Sequence, residues 1–324
     1  MIVITGGAGF IGSVLARELN KMGREDLIIV DQLKDSIKWK NLAEISYLEY
    51  FDSDDFLDED DFADLEIDAV FHMGACSSTT EMDMDYLMKN NVNYSKYLYG
   101  FCTQKNIPFI YASSAATYGN GELGYNDDHD QLKQLRPLNP YGYSKSLFDQ
   151  WVLRQGHRPP KCFGLKFFNV FGPNEYHKEE MRSLVHKAFE QINESGKVKL
   201  FKSHRDDFED GKQLRDFVYV KDVVRAMIDL WQNAPESKSG IYNMGTGQAR
   251  SFYDLVSATF KAMDKKANIE FIDMPLSIRN QYQYYTKANM DKFYSVLPDF
   301  KFTSLEDAVS DYVTNHLLKE NPHV

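Results

Sequence analysis

Cysteine is scarce in this chain, three residues in 324, and Cys76, Cys102 and Cys162 stand too far apart to form a CxxC metal or redox pair. An odd count excludes a complete disulfide framework, so a reducing compartment is expected. Long apolar runs are missing too: none approaches the roughly 20 residues that a bilayer-spanning helix needs. The opening segment starts on strand-like Ile2-Val3-Ile4 and lacks the basic region, apolar core and cleavage site of a secretory leader. The cytoplasm is therefore the expected location, with no membrane attachment. Positive charge is in deficit, 37 Lys and Arg against 48 Asp and Glu, for a formal net charge of −11. Such a balance opposes non-specific nucleic-acid binding, which depends on surplus cations, but allows a local basic site for a small anion.

What is present is enough apolar material, 43% of the residues, for one large domain or two interlocked ones. From Met1 to about residue 170, short β-branched runs alternate with helix-like stretches. Strands are expected at Ile2–Thr5, Leu27–Asp31, Ala69–Met73, Phe109–Ser113 and Phe163–Phe168, with helices at Phe10–Met22, Tyr86–Gln104 and Tyr141–Arg154. This is the pattern of an α/β fold, a doubly wound parallel Rossmann sheet. After the turn signal Gly172-Pro173 come a mixed helix near Arg182–Asn193 and a polar stretch. Phe217–Val220 and Gly240–Met244 then read as strands returning to the main sheet. From about Gln248, two helices and a strand at Ile269–Ile272 suffice for a smaller α/β C-terminal domain. The expected division is residues 1–170 plus about 215–247 for a dinucleotide, and about 171–214 plus 248–324 for a substrate. The acidic stretch Asp52–Asp68 reads as solvated rather than as a metal site, and no metal is expected.

Thr5-Gly6-Gly7-Ala8-Gly9-Phe10-Ile11-Gly12 follows a strand directly and opens a helix, so Gly6, Gly9 and Gly12 fall where backbone must approach a pyrophosphate closely. The helix N-terminus offers free N–H groups to that anion. Asp31 ends the next strand, about 20 residues on, where an acid would bind a ribose hydroxyl. Asp31 favours a free 2′-hydroxyl, whereas Lys34 and Lys38 nearby could neutralise a 2′-phosphate, so NAD and NADP both stay open.

Tyr141-Gly-Tyr-Ser-Lys145 sets a phenol and an ammonium one helical turn apart on one face. Oxidising a carbinol requires a base for its hydroxyl proton, and the ammonium is expected to lower the pKa of the Tyr141 phenol. Ser114, closing the strand in Ala112-Ser113-Ser114-Ala115, is the expected second donor to the same oxygen. Tyr143 competes for the role but points to another helix face.

These residues resemble the extended short-chain dehydrogenases/reductases, the NAD-dependent epimerase/dehydratase family, and within it the ADP-heptose 6-epimerases. The likeness runs over nearly the whole chain, and Gly74-Ala75-Cys76-Ser77-Ser78-Thr79-Thr80-Glu81 is its most distinctive run. Phe168-Asn169-Val170, His177-Lys178, Arg215–Val220 and Gly245-Thr246-Gly247 share it. The resemblance implies an isomerase that inverts C6 of an ADP-linked heptose, a precursor of the lipopolysaccharide inner core, using retained NADP. It implies cofactor contacts from Phe10, Ile11, Asp31, Gln32, Lys38, Met73, Gly74, Ala75, Cys76, Ser77, Asn90, Lys145, Val170 and Lys178. For substrate it implies Ser114, Asn169, His186, Phe201, Arg215 and Tyr282, the arginine fork suiting a diphosphate. Lys178 would join Tyr141 as the second acid/base group, since a site that inverts a carbon benefits from two. The resemblance also implies a homo-oligomer and suggests a pentamer. The chain departs from the family at Glu179 and Glu180, where small residues are usual, at the shifted His186, and in an insertion-like stretch, His204–Gln213. Glu179 and Glu180 could pair with Lys178 and change its charge preference, and their effect on it stays open.

Other readings stay open. A UDP-hexose 4-epimerase shares every superfamily residue. A 4,6-dehydratase fits less well, since Ala115 and Ala116 stand where extra carboxylates would be needed. A dinucleotide-sensing protein without turnover would have no use for Ser114, Tyr141 and Lys145 together.

Overall fold

The computed structural model describes residues 1–57, 65–279 and 282–324, except the side chains of residues 57, 277 and 278. Its strands are β1 (Ile2–Thr5), β2 (Leu27–Asp31), β3 (Glu49–Asp52), β4 (Ala69–His72), β5 (Phe109–Ser114), β6 (Cys162–Phe167), β7 (Asn169–Phe171), β8 (Val198–Phe201), β9 (Leu214–Tyr219), β10 (Gly240–Met244), β11 (Ala249–Ser251) and β12 (Ile269–Ile272). The α-helices are α1 (Phe10–Lys21), α2 (Met84–Leu87), α3 (Tyr94–Lys105), α4 (Pro140–Val152), α5 (Leu184–Ser195), α6 (Val220–Asn233), α7 (Phe252–Ala262), α8 (Leu276–Arg279), α9 (Asp291–Tyr294) and α10 (Leu305–Tyr312). Among the described residues no helix is long and apolar enough to cross a membrane.

Seven strands form one sheet in the order β10-β6-β5-β4-β1-β2-β3, and every pairing in it is parallel. Helices cover both faces, so β1, β2 and β4 are buried along their whole length. That burial explains why their sequences are unbroken apolar runs rather than alternating ones. The strand order reverses between β1 and β4, which opens a crevice at their C-terminal ends. Two smaller sheets lie apart from the first, β11-β9-β7 and β12-β8, and with α5, α7 and α10 they make up the C-terminal part.

The structure corrects several sequence expectations. The strand expected at Phe217–Val220 is β9, and it does not return to the main sheet: it pairs with β7 in parallel and β11 in antiparallel. The other strand expected to return, Gly240–Met244, does so as β10 on the edge beside β6, from Gly240 opposite Phe163 to Met244 opposite Phe167. Hydrophobic period identifies a strand but not the sheet it joins. The helix expected over Tyr86–Gln104 is broken by a wide π-type turn at Met88–Asn93, a device that recurs at functional sites. Strands β3, β7, β8 and β11, three or four residues long, were not expected from the sequence. Within the acidic stretch, residues 58–64 lie outside the described residues; Asp68 pairs with Arg24 at 2.5 Å. The insertion-like stretch is the connection from β8 to β9, where the Arg205 guanidinium sits 5.1 Å from the Tyr284 ring centre.

Beneath the crevice lies an ion pair. Lys166 on β6 and Asp149 on α4 are 0% and 1% exposed, with Nζ 2.6 Å from Oδ2. Lys166 also donates to Thr117 Oγ1 (2.7 Å), and Asp149 accepts the hydroxyls of Ser113 (2.7 Å) and Tyr111 (3.1 Å). A buried charge is tolerated only when its partners remain. Lys166→Met, which strands the Asp149 carboxylate, is expected to cost about 3–5 kcal/mol in urea unfolding; a loss below about 1 kcal/mol, the ceiling for a typical exposed pair, would mean that the pair is effectively hydrated.

Candidate active site

The crevice is a cleft of about 880 Å³. Its floor begins with the glycine loop after β1. Gly6 has φ +66°, and a Cβ on it would stand 2.6 Å from Gly74 N, in the loop after β4. A Cβ on Gly12 would stand 2.2 Å from Gly6 O. Only glycine permits this packing of the two loops and α1. The first turn of α1 has no acidic residue and Gly9 no side-chain cap, so its N–H groups are available to an anion.

At the far end of the loop, Asp31 accepts the N–H groups of Ala8 (2.9 Å) and Gln32 (2.7 Å). Lys38, in the 3-10 turn Ile37–Leu42, closes on the same carboxylate at 2.5 Å. The second loop is fixed from below by Asn91 in the π-type turn. It accepts the Cys76 N–H (2.8 Å) and donates to the Cys76 carbonyl (3.0 Å) and Ser144 Oγ (3.0 Å). Asn91 escaped sequence reasoning because its contacts lie 15 and 53 residues away.

The opposite lip is α4. Asn139 caps it by accepting the Gly142 N–H at 2.7 Å, and Pro140 pre-sets its first turn. Tyr141 and Lys145 therefore start the helix on the side of Ser114, the last residue of β5. Lys145 is 5% exposed and donates to the Ala112 carbonyl at 2.9 Å; burial brings its pKa down to about 8, against the pull of Asp149. Burial raises the Tyr141 pKa, and the influence that opposes it is a hydrogen bond with Ser114. The lowering expected from Lys145 is not found: its ammonium faces the Ala112 carbonyl, and the neighbour that acts to lower the phenol is Ser114.

Lys178 enters the cleft from the loop after β7, 5.2 Å from the centre of the Phe10 ring. Burial lowers its pKa, and the group that opposes this is Glu175. Glu179 and Glu180 are not its partners: Glu180 pairs with Lys187 at 3.2 Å, and Glu179 is exposed. Arg215, on β9, lies 5.4 Å from the Phe252 ring centre and 5.3 Å from that of Tyr282. Its NH1 and NH2 groups donate to the carbonyls of Leu214 and Gln283, and burial lowers its pKa.

The cleft is thus lined by Gly6, Gly9, Phe10, Ile11, Gly12, Asp31, Lys38, Met73, Gly74, Ala75, Ser77, Ser114, Tyr141, Lys145, Asn169, Val170, Lys178, Arg215 and Tyr282. Five expected site residues are not in that lining. Gln32 turns its side chain to Asp54 (3.2 Å), and Asn90 donates to the Tyr86 carbonyl (2.8 Å). Cys76 is clasped by Asn91, His186 lies 3.3 Å from Arg182 NH1, and Phe201 packs edge-on to Tyr282. Residues that sequence reasoning did not single out include Thr79, Met181, Arg182, Phe252 and Gln283. The last two belong to segments that only tertiary packing brings to the cleft. The three cysteines are free.

A parallel sheet reversing at a glycine loop, with a Ser, Tyr and Lys gathered at its C-terminal edge, defines a dinucleotide-dependent enzyme of the short-chain dehydrogenase type. The chain belongs to the NAD dependent epimerase/dehydratase family, whose model matches residues 2–245, and within it to the ADP-L-glycero-D-manno-heptose-6-epimerases. It is 50% identical to the enzyme of that name from Fusobacterium nucleatum, over 100% of both chains. The crystal structure of the Helicobacter pylori enzyme of that name superposes with a TM-score of 0.81 at 32% identity, covering 97% of this chain and 95% of that one. The protein MoeE5, solved with UDP-glucose and NAD, superposes at 0.75 with 26% identity over 96% of this chain and 97% of the other.

The glycine contacts make a direct test. Gly12→Ala is expected to lower stability by about 1–3 kcal/mol, as overpacking does, and to weaken dinucleotide binding measured by fluorescence titration. Unchanged affinity would contradict the close approach of α1 to the loop.

Proposed function

We infer that this chain inverts C6 of ADP-D-glycero-D-manno-heptose, giving ADP-L-glycero-D-manno-heptose by transient oxidation of the carbinol and re-reduction from the other face. The observation that carries this reading is 50% identity, end to end, to an enzyme of that name. The cleft supports it chemically, since Tyr141 and Lys178 reach it from different segments. Inversion benefits from a second acid/base group, since the oxygen changes position when the transient carbonyl turns.

A nicotinamide dinucleotide fits the chain's own groups: the Gly6–Gly74 approach leaves room for a pyrophosphate, the α1 N–H groups face it, and Asp31 and Lys38 stand at the adenosine end. When bound, it supplies a reversible two-electron acceptor, so that a full cycle leaves no net redox change. NADP is the reading we adopt. Lys38, 2.5 Å from Asp31, offsets a carboxylate that would otherwise repel a 2′-phosphate. NAD is the alternative, in view of the NAD held by MoeE5.

Tyr141 takes the hydroxyl proton on one face, with Ser114 holding the same oxygen, and Lys145 orients the dinucleotide beside it. Lys178 returns a proton on the other face after the transient carbonyl has turned. Reorientation requires that the rest of the substrate be held, and Arg215 suits the diphosphate: its charge is already desolvated between two rings, and its planar fork matches phosphate oxygens. Asn169 and Tyr282 complete that end, while His186 and Phe201 back the wall through Arg182 and Tyr282. A homo-oligomer, a cytoplasmic location and a product destined for the lipopolysaccharide inner core go with this reading.

The test is to incubate the protein with ADP-D-glycero-D-manno-heptose and, separately, UDP-glucose, and to follow sugar stereochemistry by NMR. Inversion at C6 of the first alone is expected; inversion at C4 of the second would replace this reading with a 4-epimerase. Tyr141→Phe is expected to cut turnover about 100-fold or more, the usual worth of a general base, while the dinucleotide still binds. Near-normal turnover would reject Tyr141.

A further inference from the structure

Lys178 sits in the short connection from β7 to α5, and one buried side chain ties both ends of that connection. Glu175, 1% exposed, accepts the Ser183 N–H at Oε2 (2.5 Å) and the Ser183 hydroxyl at Oε1 (2.6 Å). Ser183 in turn caps α5 by accepting the His186 N–H at 3.4 Å. The Glu175 carbonyl accepts the N–H of Lys178 at 3.0 Å. The carboxylate at the start of the loop thus fixes its last residue, while the main-chain carbonyl of the same residue holds the lysine's backbone.

The loop needs such a tie. Glu179 holds φ 47° and ψ −118°, a left-handed conformation that a residue with a Cβ keeps only when its surroundings over-determine it. The Glu179 carbonyl is gripped by the Arg182 N–H (3.2 Å) and Nε (2.8 Å). Other cations nearby have partners: Lys187 takes Glu180, and Arg182 takes Glu190 at 2.7 Å. Glu175 receives neutral donors, the Ser183 N–H and hydroxyl and the Gly172 N–H at 3.5 Å, and its charge acts on Lys178. The other ionisable neighbour of Lys178 is His177, with Lys38 and Asp31 beyond it; Tyr176 and Tyr312 flank Glu175.

We propose that Glu175 is a positioning residue for the reaction, closing the turn Tyr176–Met181 so that Lys178 stays aimed into the cleft, and serving as the buried counter-charge of that lysine. This rests on the reading of Lys178 as the second acid/base group. Removing the charge of Glu175 leaves burial unopposed at Lys178, so the ammonium loses its proton at lower pH than before. The loss of the charged form appears on the high-pH side of the rate profile.

The experiment measures kcat, KM and their pH profiles with ADP-D-glycero-D-manno-heptose for the full chain and three variants, alongside dinucleotide affinity and thermal unfolding. Glu175→Gln is expected to lower kcat about 10- to 100-fold, as misplacing a reacting group does. KM and dinucleotide affinity should stay near their starting values, and the high-pH limb should move to lower pH. Ser183→Ala, which keeps the charge and removes one tie, is expected to lower kcat and leave the limb in place. Glu175→Gln with unchanged kcat, or with lowered kcat and an unmoved limb, overturns the proposal. If Glu175→Gln does not fold, Ser183→Ala decides, and unchanged kcat there overturns it. Lys178→Met separates the two readings. Full turnover in that variant removes Lys178 from the mechanism, whereas an inactive Lys178→Met beside a fully active Glu175→Gln removes only Glu175.

Discussion

The site depends on two loops being able to touch without side chains between them. Where β1 and β4 part, the backbone at Gly6 presses against that at Gly74, and Gly12 presses α1 against Gly6. Any Cβ at these points would force the helix N-terminus away from the crevice. The close approach sets the direction in which the first N–H groups of α1 point and the distance to Asp31, which holds the loop through Ala8. Everything that could bind a dinucleotide here follows from that steric constraint together with the reversal of strand order.

On this floor the ionisable groups are arranged by burial more than by mutual attraction. Lys145 and Lys178 are both pushed toward neutrality by desolvation, and Tyr141 is pushed to hold its proton. The main opposing neighbour is Asp149 for Lys145, Glu175 for Lys178 and Ser114 for Tyr141. The Lys166–Asp149 pair extends the pattern below the cleft, where Asp149 serves Lys166 directly and Lys145 through its field.

Much of this was legible in the sequence, for reasons of locality. The glycine loop, Asp31 and the Tyr141–Lys145 spacing are short-range patterns whose geometry a strand, a turn and a helix dictate. The main sheet was legible because buried parallel strands are unbroken apolar runs. What was not legible came from distance. Asn91 acts on Cys76 and Ser144 across a helix break, and Glu175 acts on Ser183 across a strained turn. Strand β9 carries Arg215 in a small separate sheet that its own periodicity does not name. The departures at Glu179 and Glu180 left a pairing with Lys178 open in the sequence, and their neighbours in space are solvent and Lys187. Adjacency in sequence was a poor guide where the backbone turns sharply.

The central claim is that Tyr141 and Lys178 face one carbon of a nucleotide-linked sugar from its two sides. The most direct test is a crystal structure of the protein with a dinucleotide and ADP-heptose bound. The account expects C6 between the Tyr141 hydroxyl and Lys178 Nζ, its oxygen within about 3.5 Å of one or the other, as a reacting geometry requires. A sugar lying elsewhere in the cleft, or with both groups on the same face of that carbon, would contradict it.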